Sequence, residues 1–392
     1  MAQKKLSIAQ IHWGFPPTIG GVETHLALLL PTMVKRGHKV SLLTNTNEGC
    51  PEYSKFKGVE VYRNILMDLN WLQKRGIGGI EKEVKKLIHG YIDDTKPDVL
   101  HAHNMHYFIK THARILEDIS IKKGIPLVLT AHNVWDDVLY LELTRDIKWD
   151  HIIAVSNYIR REIIGIGWPA EKITTLHHGI DTKKFKPGLD LTHVYKKYPK
   201  LKRKRVIFHP ARLGLGKGCD LSIKALWIIK KEFPNTVLMM AGSKNIIDWG
   251  NTQASDIAYF VDLVNHFGLH KDVIIDSYAL DEMPALYNAC DVAVYPSTAQ
   301  EPFGMTMLEA MACKKPMIVT NTGGMPEIIQ NNVNGFVVPV KDFNALADRI
   351  MTLFSHPDMI DKFGETGFKM VQEKYTENHI TDNTLEIYKK LL

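Results

Sequence analysis

The 392-residue sequence predicts an α/β protein of two doubly wound parallel-sheet domains facing a central cleft. Short apolar, β-rich runs alternate with helical patterns along the whole chain. Strands this continuously apolar belong to parallel sheets covered by helices on both faces. The series occurs twice, and the length exceeds what one compact core usually holds. In two such domains the carboxyl ends of both sheets open on a shared cleft, where open α/β sheets bind their ligands.

The first strand is Leu6 to His12, and Lys4-Lys5 before it lacks the long apolar core and cleavage site of a leader. Next come two adjacent glycines, Gly20 and Gly21, and a helix striped with Val22, Leu26, Leu29 and Met33. Glycine at a strand-to-helix junction permits positive φ and close approach of a ligand, while the helix start offers free amides to an anion. A plain tight turn is served equally well. The runs VSLLT, VEVYR, DVLHAH, PLVLT and HIIAVS complete the first series. FKPGLDLTHVYKKYPKLKRKR, residues 185–205, reads as an interdomain connection from its prolines, glycine and basic run. The second series is RVIFHP, TVLMMAG, DVIID, DVAVYPS and KPMIVT, and two helical segments follow residue 366. The expected division is 1–185, 186–366, and terminal helices 367–392 that return to the N-terminal domain.

Apolar content of 45% excludes a disordered chain, and a formal net charge of +6 suits anionic ligands without choosing among them. The basic run 196–205 has no aromatic platform, so it reads first as a solvated face and second as a peripheral membrane contact; nucleic acid is not expected. Four cysteines, Cys50, Cys219, Cys290 and Cys313, lie far apart with no CxxC spacing, which indicates reduced thiols in the cytoplasm. No apolar run is long enough to span a bilayer.

The densest chemical signal is EPFGMTMLEAMACKKPMIVTNTGGMPEII, residues 301–329. Pro302, Phe303 and Gly304 make a loop, Met305 to Cys313 a helix, and amides near Met305 and Thr306 point into the cleft. Glu301 and Glu309, seven residues intervening, are carboxylates able to accept paired hydroxyls of a sugar or ribose. A second signal is HPARLGLGKGCDLSIKA, residues 209–225. Gly218 follows Lys217 where a phosphate loop needs Ser or Thr, so that loop is excluded. Arg212 and Lys217 remain as a cationic clamp for a diphosphate.

Together EPFGMTMLE, PARLGLGKG, TAHN, HHGID, the Gly20-Gly21 loop and TGGMPEII resemble the retaining GT-B glycosyltransferases of family 4, with two Rossmann-like domains and the E-x7-E motif. The resemblance covers nearly the full length. It implies a retaining hexosyltransferase with a nucleotide-sugar in the C-terminal domain and a hydroxyl-bearing acceptor in the N-terminal one. UDP-sugar is the first choice of donor, with GDP- and ADP-sugars as alternatives. Glu301 is then expected at the donor sugar, Glu309 at the ribose, Arg212 and Lys217 at the diphosphate, and the amides of Phe303, Gly304, Met305 and Thr306 at sugar and phosphates. Gly20 and Gly21 would lie over the phosphates, and His132 corresponds to the family's active-site histidine. The route implied is front-face displacement without a metal ion or other cofactor. Asn133 replaces an acid that often follows that histidine, His178 replaces Asn in the NGVD-type motif, and Ser277 replaces a glycine near the base.

Two other readings stand beside this one. HAHNMH, with His101, His103 and His106, approximates the HxHxDH motif of metal-dependent hydrolases, although Met105 occupies the place of its aspartate. A sugar-nucleotide-binding protein without catalysis is the third class. The acidic pairs Asp93-Asp94 and Asp136-Asp137 read as solvated loop and helix-end acids.

Overall fold

The computed structural model describes residues 4–76, 78–242 and 252–392. They divide into two compact units, one built from the chain up to Gly179 together with Glu377–Leu392, the other from the described residues between Ile180 and Thr376.

The first unit holds eight strands: β1 Ser7–Ile11, β2 Lys39–Thr44, β3 Tyr53–Phe56, β4 Val59–Arg63, β5 Val99–His103, β6 Leu127–Ala131, β7 His151–Ala154 and β8 Ile173–Thr175. Their order is β3-β4-β2-β1-β5-β6-β7-β8. All neighbours are parallel except the edge pair β3 and β4. The second unit holds β9 Arg205–His209, β10 Thr236–Gly242, β11 Val273–Ser277, β12 Val292–Tyr295, β13 Met317–Thr320 and β14 Gly335–Val338, parallel throughout in the order β11-β10-β9-β12-β13-β14. Chain order reverses between β1 and β5 in one sheet and between β9 and β12 in the other. Those are the switch points of doubly wound sheets, where loops leaving the carboxyl ends diverge and open a crevice.

Each sheet is apolar because it is covered. Ile8 pairs with Val40 and Val99 in register, and all three are buried under Leu26, Leu29 and Met33 of the helix Gly21–Lys35. In the second unit Ile207 pairs with Leu238 and Val292 beneath the helix Cys219–Ile229. Burying one such side chain contributes about 1.5–3 kcal/mol.

The terminal helices separate. Glu377–Leu391 joins the first unit, where Ile380, Leu385, Ile387 and Tyr388 enter its core and Arg36 pairs with Asp382 at 3.0 Å. Pro357–Lys374, by contrast, stays with the second unit. Gly364 and Gly367 let it approach the helix Met305–Ala312 and the turn that follows: a Cβ on the first would stand 2.3 Å from the Lys314 carbonyl oxygen, on the second 2.9 Å from Met311 Cγ. The expected third segment, 367–392, is therefore two pieces, and the first boundary falls at Gly179 instead of 185.

Much of the basic run is spent within its own unit. Lys197 pairs with Asp276 at 3.1 Å, Lys204 with Asp272 at 2.7 Å, and the Arg205 guanidinium lies 4.9 Å from the Phe233 ring centre. Among the described residues no helix is long and apolar enough to cross a membrane, and all four cysteines are unpaired.

Candidate active site

In the second unit the loops after β9 and β12 meet at the switch point. A short turn, Leu215–Lys217, docks on the β12 loop: the Gly216 carbonyl accepts from the Ser297 hydroxyl at 2.9 Å and from the Thr298 amide at 3.0 Å. Gly218 (φ 75) passes so close that a Cβ would lie 1.9 Å from the Pro296 carbonyl oxygen. From the other side Gly323 (φ 57) leaves only 2.0 Å between an added Cβ and the Glu301 carbonyl oxygen, which accepts from the Gly324 amide at 2.8 Å. Gly218 of GLGKG and Gly323 of TGG thus serve backbone packing that fixes the Glu301 loop.

That packing brings Lys217 Nζ to 2.8 Å from Glu301 Oε2, and the buried Tyr295 hydroxyl donates to the same oxygen. Burial by itself raises the Glu301 pKa. Lys217, Tyr295 and Arg212 more than offset it, so the carboxyl is held below its ordinary range. Arg212 is exposed on the loop after β9. Glu309 sits in the helix Met305–Ala312, only 9% exposed, with Oε2 accepting from the Tyr287 hydroxyl at 2.7 Å. Burial raises its pKa, and the Tyr287 bond only partly opposes this. The two carboxylates of the motif are thus oriented alike, each by a buried tyrosine.

Phe303 is buried, Gly304 (φ 83) turns the chain into the helix, and Met305 and Thr306 begin it. The first amides of a helix have no partner within it. The Thr306 hydroxyl beside them is buried without one. Arg212, Lys217, Glu301 and the 303–309 segment are therefore gathered on one unit as the motifs require.

In the first unit the junction after β1 differs from expectation. Neither Gly20 nor Gly21 takes positive φ. Gly20 is extended, and a Cβ there would lie 2.2 Å from Glu23 Oε2; nothing stands within 4 Å of one at Gly21. The first glycine makes room for Glu23, whose Oε1 meets His12 Nε2 at 3.2 Å, and only the second leaves open approach.

His101 and His103 lie on β5, but they do not form a metal site with His106. His101 bonds Thr130 and Tyr388, His103 bonds Gln10 and His132, and His106 Nε2 donates to the Asn133 carbonyl at 2.9 Å. Among the described residues no three His, Cys, Asp or Glu gather as a metal ion needs. His132 follows β6, buried, its amide donating to Asn104 Oδ1 at 2.9 Å and its ring nearly parallel to that of His178 with centres 5.1 Å apart. Sequence reasoning missed Tyr287, Tyr295, Gln10, His25 and Tyr388, because a buried polar partner leaves no spacing to read.

Comparison with known proteins gives two family matches: Glycosyltransferase Family 4 over residues 19–184 and Glycosyl transferases group 1 over residues 193–370. An uncharacterized glycosyltransferase of Methanocaldococcus jannaschii is 28% identical over 98% of each chain. A solved glycosyltransferase of Rickettsia africae superposes with TM-score 0.79 at 22% identity, over 99% of both chains. An Anabaena protein solved in complex with UDP and glucose superposes with TM-score 0.79 at 20% identity, over 98% of this chain and all of that one.

Proposed function

Because this chain belongs to the group 1 glycosyl transferases of GT-B fold, we propose that it moves a sugar from a UDP-sugar to a hydroxyl acceptor with retention of configuration. The observation that carries this is the Lys217–Glu301 pair at the switch point, with Glu309 on the adjoining helix. Lys217 and Arg212 hold the diphosphate together with the helix-start amides and the Thr306 hydroxyl. Glu301 receives hydroxyls of the transferring sugar, and Glu309 those of the ribose. The acceptor falls to the first unit, to which Gly20, Gly21 and His132 belong. The complex of the Anabaena protein with UDP and glucose supports the choice of uridine donor.

In the reaction the bond from the anomeric carbon to the diphosphate oxygen breaks, its electron pair staying on that oxygen. The acceptor oxygen bonds to the same carbon from the same face, and its proton passes to the departing phosphate. Products are the glycoside and the nucleoside diphosphate, and no protein nucleophile takes part. Negative charge grows on the diphosphate, so preorganised cations and amides stabilise the transition state more than the ground state. The same groups make a divalent cation unnecessary.

A thermal-shift panel of UDP, GDP, ADP and dTDP tests the donor. A ligand at 100 times its Kd adds about 2.7 kcal/mol of stability, and UDP should give the largest shift. No shift with any of the four would overturn the reading.

A further inference from the structure

The buried histidines of the first unit are joined ring to ring. His25 Nδ1 lies 3.0 Å from His178 Nδ1, His178 Nε2 3.3 Å from His132 Nδ1, and His132 Nε2 2.9 Å from His103 Nδ1. His103 Nε2 then meets Gln10 Oε1 at 2.7 Å, and Gln10 Nε2 donates to the Tyr388 hydroxyl at 3.1 Å. The residues come from the helix after β1, from β1 and β5, from the loops after β6 and β8, and from the C-terminal helix.

A neutral imidazole has one N–H and one lone pair, so each bond decides the next. The Gln10 carbonyl oxygen can only accept, so His103 Nε2 donates and its Nδ1 accepts. His132 must then donate from Nε2 and accept at Nδ1. His178 donates to it from Nε2, and His25 donates to His178 from Nδ1. A protonated ring would present two donors and break the sequence. Burial, followed by repulsion from neighbouring rings, lowers the pKa of His103 and His132 well below the ordinary value and that of His25 to about 3.

We propose that His103 and His178 are positioning residues that hold His132 as its Nε2–H tautomer with both ring nitrogens engaged, Gln10 setting the direction of the whole chain. The ring of His132 is then closed to proton exchange with a substrate and serves by its fixed placement. His178, where the resembled motif has Asn, is a working part of this site: it supplies the N–H that His132 Nδ1 accepts. The chain also gives the C-terminal helix a task, since Tyr388 presents the hydroxyl that accepts from the Gln10 amide and so orients it.

Only the consequence for turnover rests on the transferase reading; the tautomers do not. The test is long-range 15N–1H correlation on the full-length protein labelled at histidine. His103, His132 and His178 are expected as Nε2–H and His25 as Nδ1–H. His178→Leu removes the donor to His132 Nδ1, so the 15N resonance of that nitrogen should move to the position of an unbonded ring nitrogen while the Nε2–H form, set from His103, persists; His178→Gln places an amide N–H where Nε2 stood and should restore the bonded resonance. Turnover should fall about tenfold or more in the leucine variant, the scale of losing an orienting neighbour, and recover in the glutamine variant. His132 found as Nδ1–H or as a mixture in the wild-type protein overturns the proposal, and so does an unchanged Nδ1 resonance of His132 in a folded His178→Leu. If neither nucleotide-sugar is turned over nor nucleotide bound while the tautomers appear as stated, the transferase reading fails and the chain stands.

Discussion

Mild acid should unfold the first unit well before the second. His25, His101, His103, His132 and His178 are buried there and stay neutral in the folded protein, with the pKa of His25 and His101 lowered to about 3 and the others well below the ordinary 6.5, burial being the largest cause in every case. Once unfolded, each takes up a proton as pH drops below 6.5. Stability from these groups is therefore complete above pH 6.5 and lost on acidification toward the folded pKa. Between pH 7.5 and 5.5 the loss is about 1.4 kcal/mol for each ring, the equivalent of one unit of pKa difference. Repulsion among the rings does not reduce this, since the uptake occurs in the unfolded chain, where they are apart. These five rings take roughly 7 kcal/mol, comparable with the whole stability of a typical domain, and His106 and His112, buried in the same unit with pKa lowered to about 4, add to the loss. The second unit carries one buried histidine with a comparably lowered pKa among its described residues, His209. Hydrogen exchange followed peptide by peptide at both pH values reads the units separately. Protection in β1, β5 and β6 should collapse by several kcal/mol at pH 5.5 while β9 and β12 lose about 1.4. Equal losses in the two units, or less than about 1 kcal/mol in the first, would refute the reasoning.

Three substitution sets probe the second unit and the glycine junction. Lys217→Ala should lower kcat about 10²- to 10³-fold, as expected for one preorganised group at a leaving diphosphate, in protein that still folds although Glu301 has lost its cation; wild-type turnover would remove that assignment. Glu301→Gln should act mainly on kcat and Glu309→Gln mainly on the donor KM, because only the first touches the sugar that changes; indistinguishable kinetics would leave no basis for two roles. Gly323→Ala should destabilise by roughly 1–3 kcal/mol, since its Cβ meets backbone and its φ is positive. Gly21→Ala should leave the melting temperature unchanged, and a marked drop would show the junction to be packed after all.

The sheets were legible because parallel strands covered on both faces are continuously apolar, as VLHAH of β5 and VAVY of β12 are. Three strands escaped for local reasons. β3, YSKF, is a partly exposed edge; β8 has three residues; and β14 depends on Gly335, where a Cβ would lie 2.1 Å from the Met317 carbonyl oxygen. Glu301, Glu309, Arg212 and Lys217 could be read because sequence-local loops and one helix carry them. Their tyrosine supports could not, since Tyr295 ends a strand and Tyr287 lies in another helix, and only folding brings them to the carboxylates. The alternative reading of HAHNMH finds no support for a similar reason: adjacency in sequence suggested one metal, whereas His101 and His103 share a face of β5 and His106 lies beyond it in the loop. Gly20 is a further case, its reason being the carboxylate of Glu23 three residues on.

The most direct measurement is the configuration at the anomeric carbon. Protein treated with EDTA and desalted is given a UDP-α-sugar with a panel of hydroxyl acceptors, and the product is followed by proton NMR from the first turnovers. An α-linked product formed without added metal, with UDP released in equal amount and both lost in Lys217→Ala, is the result predicted. A β-linked product, or transfer that stops on chelation and returns only with a divalent ion, would contradict the account.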